Sequence, residues 1–133
     1  MTELEKLSYD NGEPKLNLSQ IKNTVINLTS KENYDTLMIL YEASRWKWKG
    51  DKSLPTTHNY WSDDSEKTCI DAEVDFEGFM RGSRDYYEKI GKKVLYFQDY
   101  IEIQGISEIL LEELTLWFEA NKPERKSKGI KKL

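Results

Sequence analysis

The segment Cys69-Ile70-Asp71-Ala72-Glu73-Val74-Asp75-Phe76 decides our prediction of the fold, because apolar and acidic residues alternate along it. Such alternation is typical of a strand with one buried face, since successive side chains of a strand point to opposite sides of the sheet. We therefore predict a strand over residues 69–76 whose apolar face packs on the core. Its outward face carries a row of carboxylates: Asp71, Glu73, Asp75 and Glu77.

A second alternating segment, Arg45-Trp46-Lys47-Trp48-Lys49, has the opposite charge. If this segment pairs with the acidic strand, both tryptophans join the core and the cations meet the carboxylates on the outer face. Each opposed charge pair stabilises the sheet by only ~0.2–1 kcal/mol, but a slip of one residue would turn the tryptophans toward water. The simplest interpretation of both segments is therefore structural.

The carboxylate row also allows two functional interpretations. Carboxylates on one face of a strand lie about 6.6 Å apart, so the row could imitate phosphates and attract a basic protein partner. Hard cations such as Ca²⁺ bind carboxylates too, but the spacing does not match an EF-hand loop. The Trp-Lys alternation is less typical of a platform for single-stranded nucleic acid, because a strand sends its aromatic and cationic side chains to opposite faces.

The remaining pattern predicts an α/β or α+β fold in one small domain, with a three- to four-stranded sheet covered by about three helices. We expect helices over residues 17–28, from Ser83 to near Gly91, and over 106–120, where Pro123 ends the last one. Further strands are expected over 36–41 and 93–97, with a long polar loop over 51–67. The short helix after Ser83 would cross between two parallel strands, those at 69–76 and 93–97. The domain would span 17–121, after an irregular segment 1–16.

Charge is distributed unevenly along the 133 residues. The net charge is −4, yet residues 122–133 carry six Lys or Arg and one Glu, which leaves −9 for residues 1–121. We interpret 122–133 as a basic flexible tail that could contact nucleic acid nonspecifically. Without an apolar leader or a spanning segment, a cytoplasmic protein with no membrane partner is expected.

The sequence contains few of the residues and motifs that catalytic or cofactor sites require. One His and one Cys exclude an internal disulfide and the common zinc cages, and no glycine-rich phosphate loop is present, so we expect no cofactor, no metal and no enzymatic activity. His58 and Cys69 could form a nucleophilic pair with Asp63 or Asp64, but a buried, inert thiol is the expected state. Arg81, Ser83 and Arg84 at a helix start could instead bind a small anion.

Two aromatic residues in the long loop, Tyr60 and Trp61, either anchor an interface or fold back onto the core. The stretch Gly82-Ser83-Arg84-Asp85-Tyr86-Tyr87-Glu88-Lys89, followed by Gly91-Lys92-Lys93-Val94, resembles small phage- and prophage-encoded proteins of Gram-positive bacteria. The resemblance covers residues 82–97 and implies a phage accessory protein, such as an inhibitor of host defence. We thus predict a protein-interaction module that uses the acidic strand face together with Tyr60 and Trp61. The alternatives are a nucleic-acid accessory protein and a binder of small anions.

Overall fold

The computed structural model describes residues 7–10, 13–19, 21–50, 52–57, 59–73 and 78–130, with the backbone alone at Asp10, Glu73 and 121–130. Its helices are α1 (Lys31–Ala43), α2 (Trp61–Asp64), α3 (Arg84–Lys89), α4 (Phe97–Gln104) and α5 (Glu108–Ile130), with a 3₁₀ turn over Ser65–Lys67. Its strands are β1 (Leu7–Asp10), β2 (Glu13–Leu16), β3 (Thr24–Leu28), β4 (Lys47–Trp48), β5 (Thr68–Glu73), β6 (Gly78–Ser83) and β7 (Lys93–Tyr96).

Five strands form one mixed sheet in the order β4-β6-β5-β3-β7. Strand β5 runs antiparallel to both of its neighbours, with Ile70 opposite Ile26 of β3 and Arg81 of β6. The outer pairs, β3 with β7 and β4 with β6, are parallel. Strands β1 and β2 form a separate antiparallel pair. The predicted mixed α/β class and the single small domain are confirmed, with five strands in the main sheet instead of three or four.

The main core lies between one face of the sheet and the helices α1, α4 and α5. Ile70 and Phe79 from the sheet are buried with Tyr41 and Leu40 of α1 and with Leu110 of α5. The Tyr41 ring lies 4.8 Å from the rings of Trp46 and Phe79, measured between centroids. Because aromatic side chains bury large areas, this cluster supplies much of the hydrophobic stabilisation.

Helix α3 covers the opposite face of the sheet. Its Tyr87 packs with Val25 of β3 and Cys69 of β5, and Val94 of β7 lies against the same cluster. Strand β3 is consequently buried along all five of its residues. The centre of the sheet has no open face.

The burial of β3 on both faces explains why the predicted helix over residues 17–28 is wrong. A strand that is buried on both faces shows no alternation, so its apolar run cannot be told from a helix by periodicity. Residues 17–19 and 21–23 form loop structure instead, from which Leu18 and Ile21 pack on the core, and residues 24–28 form β3. The Gln104 side chain of α4 accepts a hydrogen bond from the Ser19 amide at 2.7 Å and donates another to the Ser19 carbonyl oxygen.

The predicted strand over 36–41 is also wrong, because these residues belong to α1. Ser30 caps this helix: its Oγ accepts a hydrogen bond from the Asn33 amide at 3.1 Å. Residues 37–43 are all buried, since the sheet, β2 and α5 enclose the helix. A helix that is enclosed on most sides has a continuous apolar run, which imitates a buried strand.

The segment around the two tryptophans forms a strand only at Lys47 and Trp48. Both tryptophans are buried as predicted, but β4 pairs with β6 and not with the acidic strand. Arg45 has a left-handed backbone, with φ of 68°, so the extended alternation stops there. The glycine-containing strand β6, which the sequence did not indicate, takes the expected place beside β5.

Three further elements follow the prediction. Strand β5 matches the described part of the expected strand (residues 74–77 lie outside the described residues), and β7 lies over 93–96. Ser83 caps α3, since its Oγ accepts from the Tyr86 amide at 3.2 Å. Helix α3 joins two parallel strands, as predicted, but the first of them is β6 and not β5; the second is β7.

At the two ends of the chain the structure is more regular than predicted. Strands β1 and β2 fall within the segment 1–16, which was expected to be irregular, and Leu16 is buried against the core. Helix α4 was not predicted. Helix α5 continues through Pro123 to Ile130, so its expected end at Ala120 is wrong. Proline removes one backbone hydrogen bond and bends a helix, but it does not always end one.

Candidate functional site

The carboxylate row of β5 does not lie on an open surface at Asp71. This residue is only 6% exposed, because it lies on the sheet face that α3 covers. Lys92 Nζ lies 3.7 Å from Asp71 Oδ2, and burial together with this carboxylate raises the pKa of the Tyr87 hydroxyl. The expectation that Asp71 points into solvent is therefore wrong. The Glu73 side chain, Asp75 and Glu77 lie outside the described residues, and their role in partner binding stays a prediction.

Tyr60 and Trp61 fold back onto the core. The Tyr60 amide donates to Tyr34 Oη at 3.1 Å, and the Tyr60 ring meets the Trp48 ring edge-on at 5.0 Å. The Trp61 ring lies 6.4 Å from that of Tyr34. Of the two interpretations left open above, these contacts favour the second, in which Tyr60 and Trp61 fold back onto the core. A part of both side chains remains accessible, so partner binding through them stays a prediction.

Polar contacts hold the loop that leads to Tyr60. The buried Glu42 carboxylate accepts a hydrogen bond from Thr56 Oγ1 at 2.7 Å, and Trp48 Nε1 donates to the Pro55 carbonyl oxygen at 3.3 Å. A buried carboxylate is costly unless such donors satisfy it, so these bonds fix the loop against the end of α1. The loop therefore has a structural role in closing the core.

The three residues of the predicted anion site do not converge. Arg81 lies opposite Ile70 in the sheet and so faces the side of the main core, where it pairs with Asp63 at 2.9 Å and covers the Tyr60 ring. Arg84 reaches the other side of the sheet. Ser83 Oγ is occupied as the cap of α3. Because one cation faces each side of the sheet, the residues do not form a common pocket.

Arg84 has its own set of partners near the end of β7. Its Nη1 donates to Tyr96 Oη at 2.9 Å and to Asn27 Oδ1 at 3.4 Å, while Nε lies 3.5 Å from a Glu88 carboxylate oxygen. The hydrogen bond to Tyr96 and the nearby Glu88 carboxylate raise the pKa of the guanidinium. Arg84 thus joins α3 to β3 and β7.

The only cysteine is an interior residue. Cys69 is fully buried, and its burial raises the pKa of its thiol to about 12. The thiolate is the nucleophilic form, so a thiol with this pKa is inert at neutral pH. His58 lies outside the described residues. Within the described ranges, no three His, Cys, Asp or Glu side chains come close enough together to hold a metal ion, and none of the helices has the length and apolar character to span a bilayer.

A different set of carboxylates is exposed on α4 and α5. Residues 94–121 contain six acidic residues and no Lys or Arg. All six are exposed, and within the described part of the chain none of them takes part in an ion pair. We call this set the acidic helical surface: Asp99, Glu102, Glu108, Glu112, Glu113 and Glu119.

Apolar side chains are also exposed on these two helices. Ile103 is 58% exposed, Ile109 61% and Leu116 70%. A groove of about 530 Å³ runs between α1 and α5, with Leu111 and Leu116 on one wall and carboxylates of Glu32 and Glu112 at its sides. Exposed apolar residues beside unpaired charges of one sign are typical of a surface that binds another macromolecule.

The sequence contained a signal for this surface that its periodicity did not reveal. The 28 residues 94–121 are free of cations in a chain with 20 Lys and Arg, and this local bias predicts a negative surface wherever those residues fold. Comparison of the chain with protein-family models, with curated proteins and with solved structures gives no match. The local resemblance to phage proteins therefore stays a prediction.

Proposed function

We propose that this protein is a non-enzymatic interaction module that binds a basic protein partner through the acidic helical surface. The observation that carries the proposal is the group of six exposed carboxylates on α4 and α5 without an ion pair among the described residues. Unpaired charges of one sign raise the rate of encounter with an oppositely charged partner.

The apolar residues of the surface support the same proposal. Charge alone steers a partner, whereas the affinity of an interface depends on a few well-packed apolar contacts. Ile109 and Leu116 lie on α5 among Glu108, Glu112 and Glu113, so an approaching basic surface would meet both kinds of contact at once. The expected partner carries Lys or Arg around an apolar centre.

The proposal keeps the predicted class of partner and moves its binding surface. Asp71 is buried and Tyr60 packs on Trp48, which leaves the helices α4 and α5 as the better-supported surface. The resemblance of residues 82–97 to phage proteins supports a narrower proposal, in which the partner is a host protein that takes part in defence. Binding of nucleic acid through residues 122–133 remains the alternative.

The test uses immobilised protein and nuclease-treated lysate of the source organism, followed by binding measurements with each purified captured protein. Reversing two charges, Glu112→Lys with Glu113→Lys, should weaken binding by about 10- to 100-fold. The two carboxylates would raise the rate at which a basic partner associates and would also stabilise the complex, so their reversal affects both. The affinity of the unaltered protein should also fall as salt increases.

A matched control reverses two carboxylates elsewhere, Asp64→Lys with Glu66→Lys, and should leave binding nearly unchanged. Equal losses in the two double variants would show that only net charge matters and would contradict the proposed surface. Undiminished binding by Glu112→Lys with Glu113→Lys would contradict it as well. Circular dichroism and the melting temperature confirm that each variant folds.

A further inference from the structure

We propose that one basic partner of the acidic helical surface is α5 of a second copy of this chain, packed antiparallel to the first. The inference rests on the proposed function, because it names the occupant of the same surface. It starts from the distribution of charge along α5, a single helix of 23 residues. Its first half carries Glu108, Glu112, Glu113 and Glu119, whereas the sequence of its second half carries four cations, Lys122, Arg125, Lys126 and Lys128, against one carboxylate, Glu124.

A helix with one acidic half and one basic half is complementary to itself only in the antiparallel direction. Parallel pairing would place carboxylate next to carboxylate and cation next to cation, which is unfavourable. Antiparallel pairing about the middle of α5 places each acidic half against the basic half of the other copy. Such an interface is isologous and closes as a dimer.

The apolar residues of α5 have the same symmetry. Positions 109, 116, 123 and 130 are Ile, Leu, Pro and Ile, and their spacing of seven residues places them in one line along a helix. When the helix is reversed about its centre, position 109 falls opposite 130 and position 116 opposite 123. The same register places Glu113 opposite position 126, which is Lys.

The two apolar positions of this line in the acidic half are open to a second helix. Ile109 and Leu116 are exposed, and Leu116 also lines the groove between α1 and α5. The groove carries Glu32 and Glu112, so its charge matches the basic half of the incoming helix. Four apolar positions per helix make a narrow seam, so we expect a weak, salt-sensitive dimer with a dissociation constant in the micromolar range.

The experiment measures the mass of the full chain in solution by sedimentation equilibrium over a range of concentrations. The unaltered chain should dimerise. Variant A, Glu112→Lys with Glu113→Lys, removes the net negative charge of the first half, and variant B, Lys126→Glu with Lys128→Glu, makes the second half net negative. Each variant alone should remain a monomer at concentrations where the unaltered chain is dimeric, because positions 113 and 126, which face each other in this register, then carry charges of the same sign.

An equimolar mixture of A and B should form a one-to-one heterodimer, since positions 113 and 126 again carry opposite charges in both of their pairings. A control with two reversed charges on α4, Asp99→Lys with Glu102→Lys, should dimerise like the unaltered chain. A monomeric unaltered chain, a dimer that persists in A and B, or a mixture that stays monomeric would each overturn the inference.

Failure of this inference is distinguishable from failure of the proposed function. Variant B keeps every carboxylate of the acidic helical surface, so it should still bind a different basic protein even where it has lost the dimer. A monomeric chain that binds such a protein and loses it in variant A overturns the dimer and keeps the interaction module. If the substitutions of variant A change neither the binding of such a protein nor the mass in solution, both the dimer and the interaction module are overturned.

Discussion

Gly82 of β6 lies directly beneath the ring of Tyr87, so closely that a Cβ at position 82 would come within 2.9 Å of the ring carbon Cε2. Tyr87 belongs to α3, which begins two residues after Gly82, and it packs onto Cys69 and Val25 of the neighbouring strands. The missing side chain of Gly82 therefore lets the helix return onto the sheet immediately after the strand ends.

Substitution of Gly82 by Ala should destabilise the protein, because the buried Tyr87 ring must shift away from the added methyl group. Overpacking of this kind costs about 1–3 kcal/mol, and urea unfolding followed by tryptophan fluorescence measures it. Gly50→Ala is the matched control, since no atom lies within 4 Å of a Cβ built there. Equal stability of the two variants would show that the Tyr87 ring can move away from the added methyl group without lowering the free energy of unfolding.

Gln104 should contribute to stability through the main chain of Ser19. Replacement by Ala removes both hydrogen bonds between the buried Gln104 side chain and the main chain of the exposed Ser19, each of which contributes about 0.5–1.5 kcal/mol. Gln98, an exposed residue of the same helix, provides the control Gln98→Ala with little expected change. Chemical denaturation of both variants tests the expectation, and a neutral Gln104→Ala would refute the role of this contact in holding the loop before β3.

Asp71 should behave as a buried partner of Lys92 and not as a surface charge. We expect Asp71→Asn to cost about 1–3 kcal/mol, because it leaves Lys92 facing an uncharged group in a partly buried site. The exposed pair of Lys67 and Asp85 offers a comparison: Asp85→Asn should cost about 0.5 kcal/mol. Similar losses in thermal unfolding for the two variants would argue that Asp71 is exposed in solution.

The Cys69 thiol should be unreactive in the folded protein. With a pKa of about 12 it is almost entirely protonated at pH 8, and its burial also excludes reagent. Alkylation by iodoacetamide should therefore be at least about 100-fold slower than in urea-unfolded protein. A control thiol at the exposed position 62, made by Ser62→Cys together with Cys69→Ser, should react at the unfolded rate.

The raised pKa of the Cys69 thiol also predicts that the protein loses stability at alkaline pH. An unfolded thiol ionises near pH 8.5–9, whereas the folded thiol has the higher pKa. Its contribution to folding is thus fully present below pH 8.5 and falls as the pH rises toward 12. Cys69→Ala should show a smaller loss between pH 9 and pH 11 than the unaltered chain. Identical pH profiles of the free energy of unfolding would contradict the raised pKa.

Local chemistry made several parts of the fold predictable. The alternation around Ile70 identified β5, and Ser83 marked the start of α3, because a strand with one apolar face and a helix cap leave short-range signals. Trp46 and Trp48 were correctly placed in the core. Residues 24–28 were predicted as helix and form a strand, and residues 36–41 were predicted as strand and form a helix, because elements that are enclosed on all sides lose the periodicity that distinguishes them.

The sequence predicted a binding surface on β5, whereas the proposed surface lies on α4 and α5. The excess of negative charge indicated a basic protein partner, and that proposal remains. Asp71 was placed at the surface because its strand alternates, yet the sequence carried no sign that Tyr87 would cover that face. Helix α4 was missed as well, so the carboxylates of Asp99 and Glu102 had no predicted surface to which they could belong.

The sequence by itself determined the mixed α/β class, the acidic body with its basic end, and the burial of Cys69 and the tryptophans, because composition and short-range spacing suffice for these properties. The tertiary structure alone decided which strand lies beside β5, which sheet face is closed and which carboxylates stay exposed. These outcomes depend on contacts between residues far apart in the chain, such as Gln104 with Ser19 and Arg84 with Asn27, and such contacts leave no periodic trace in a single sequence.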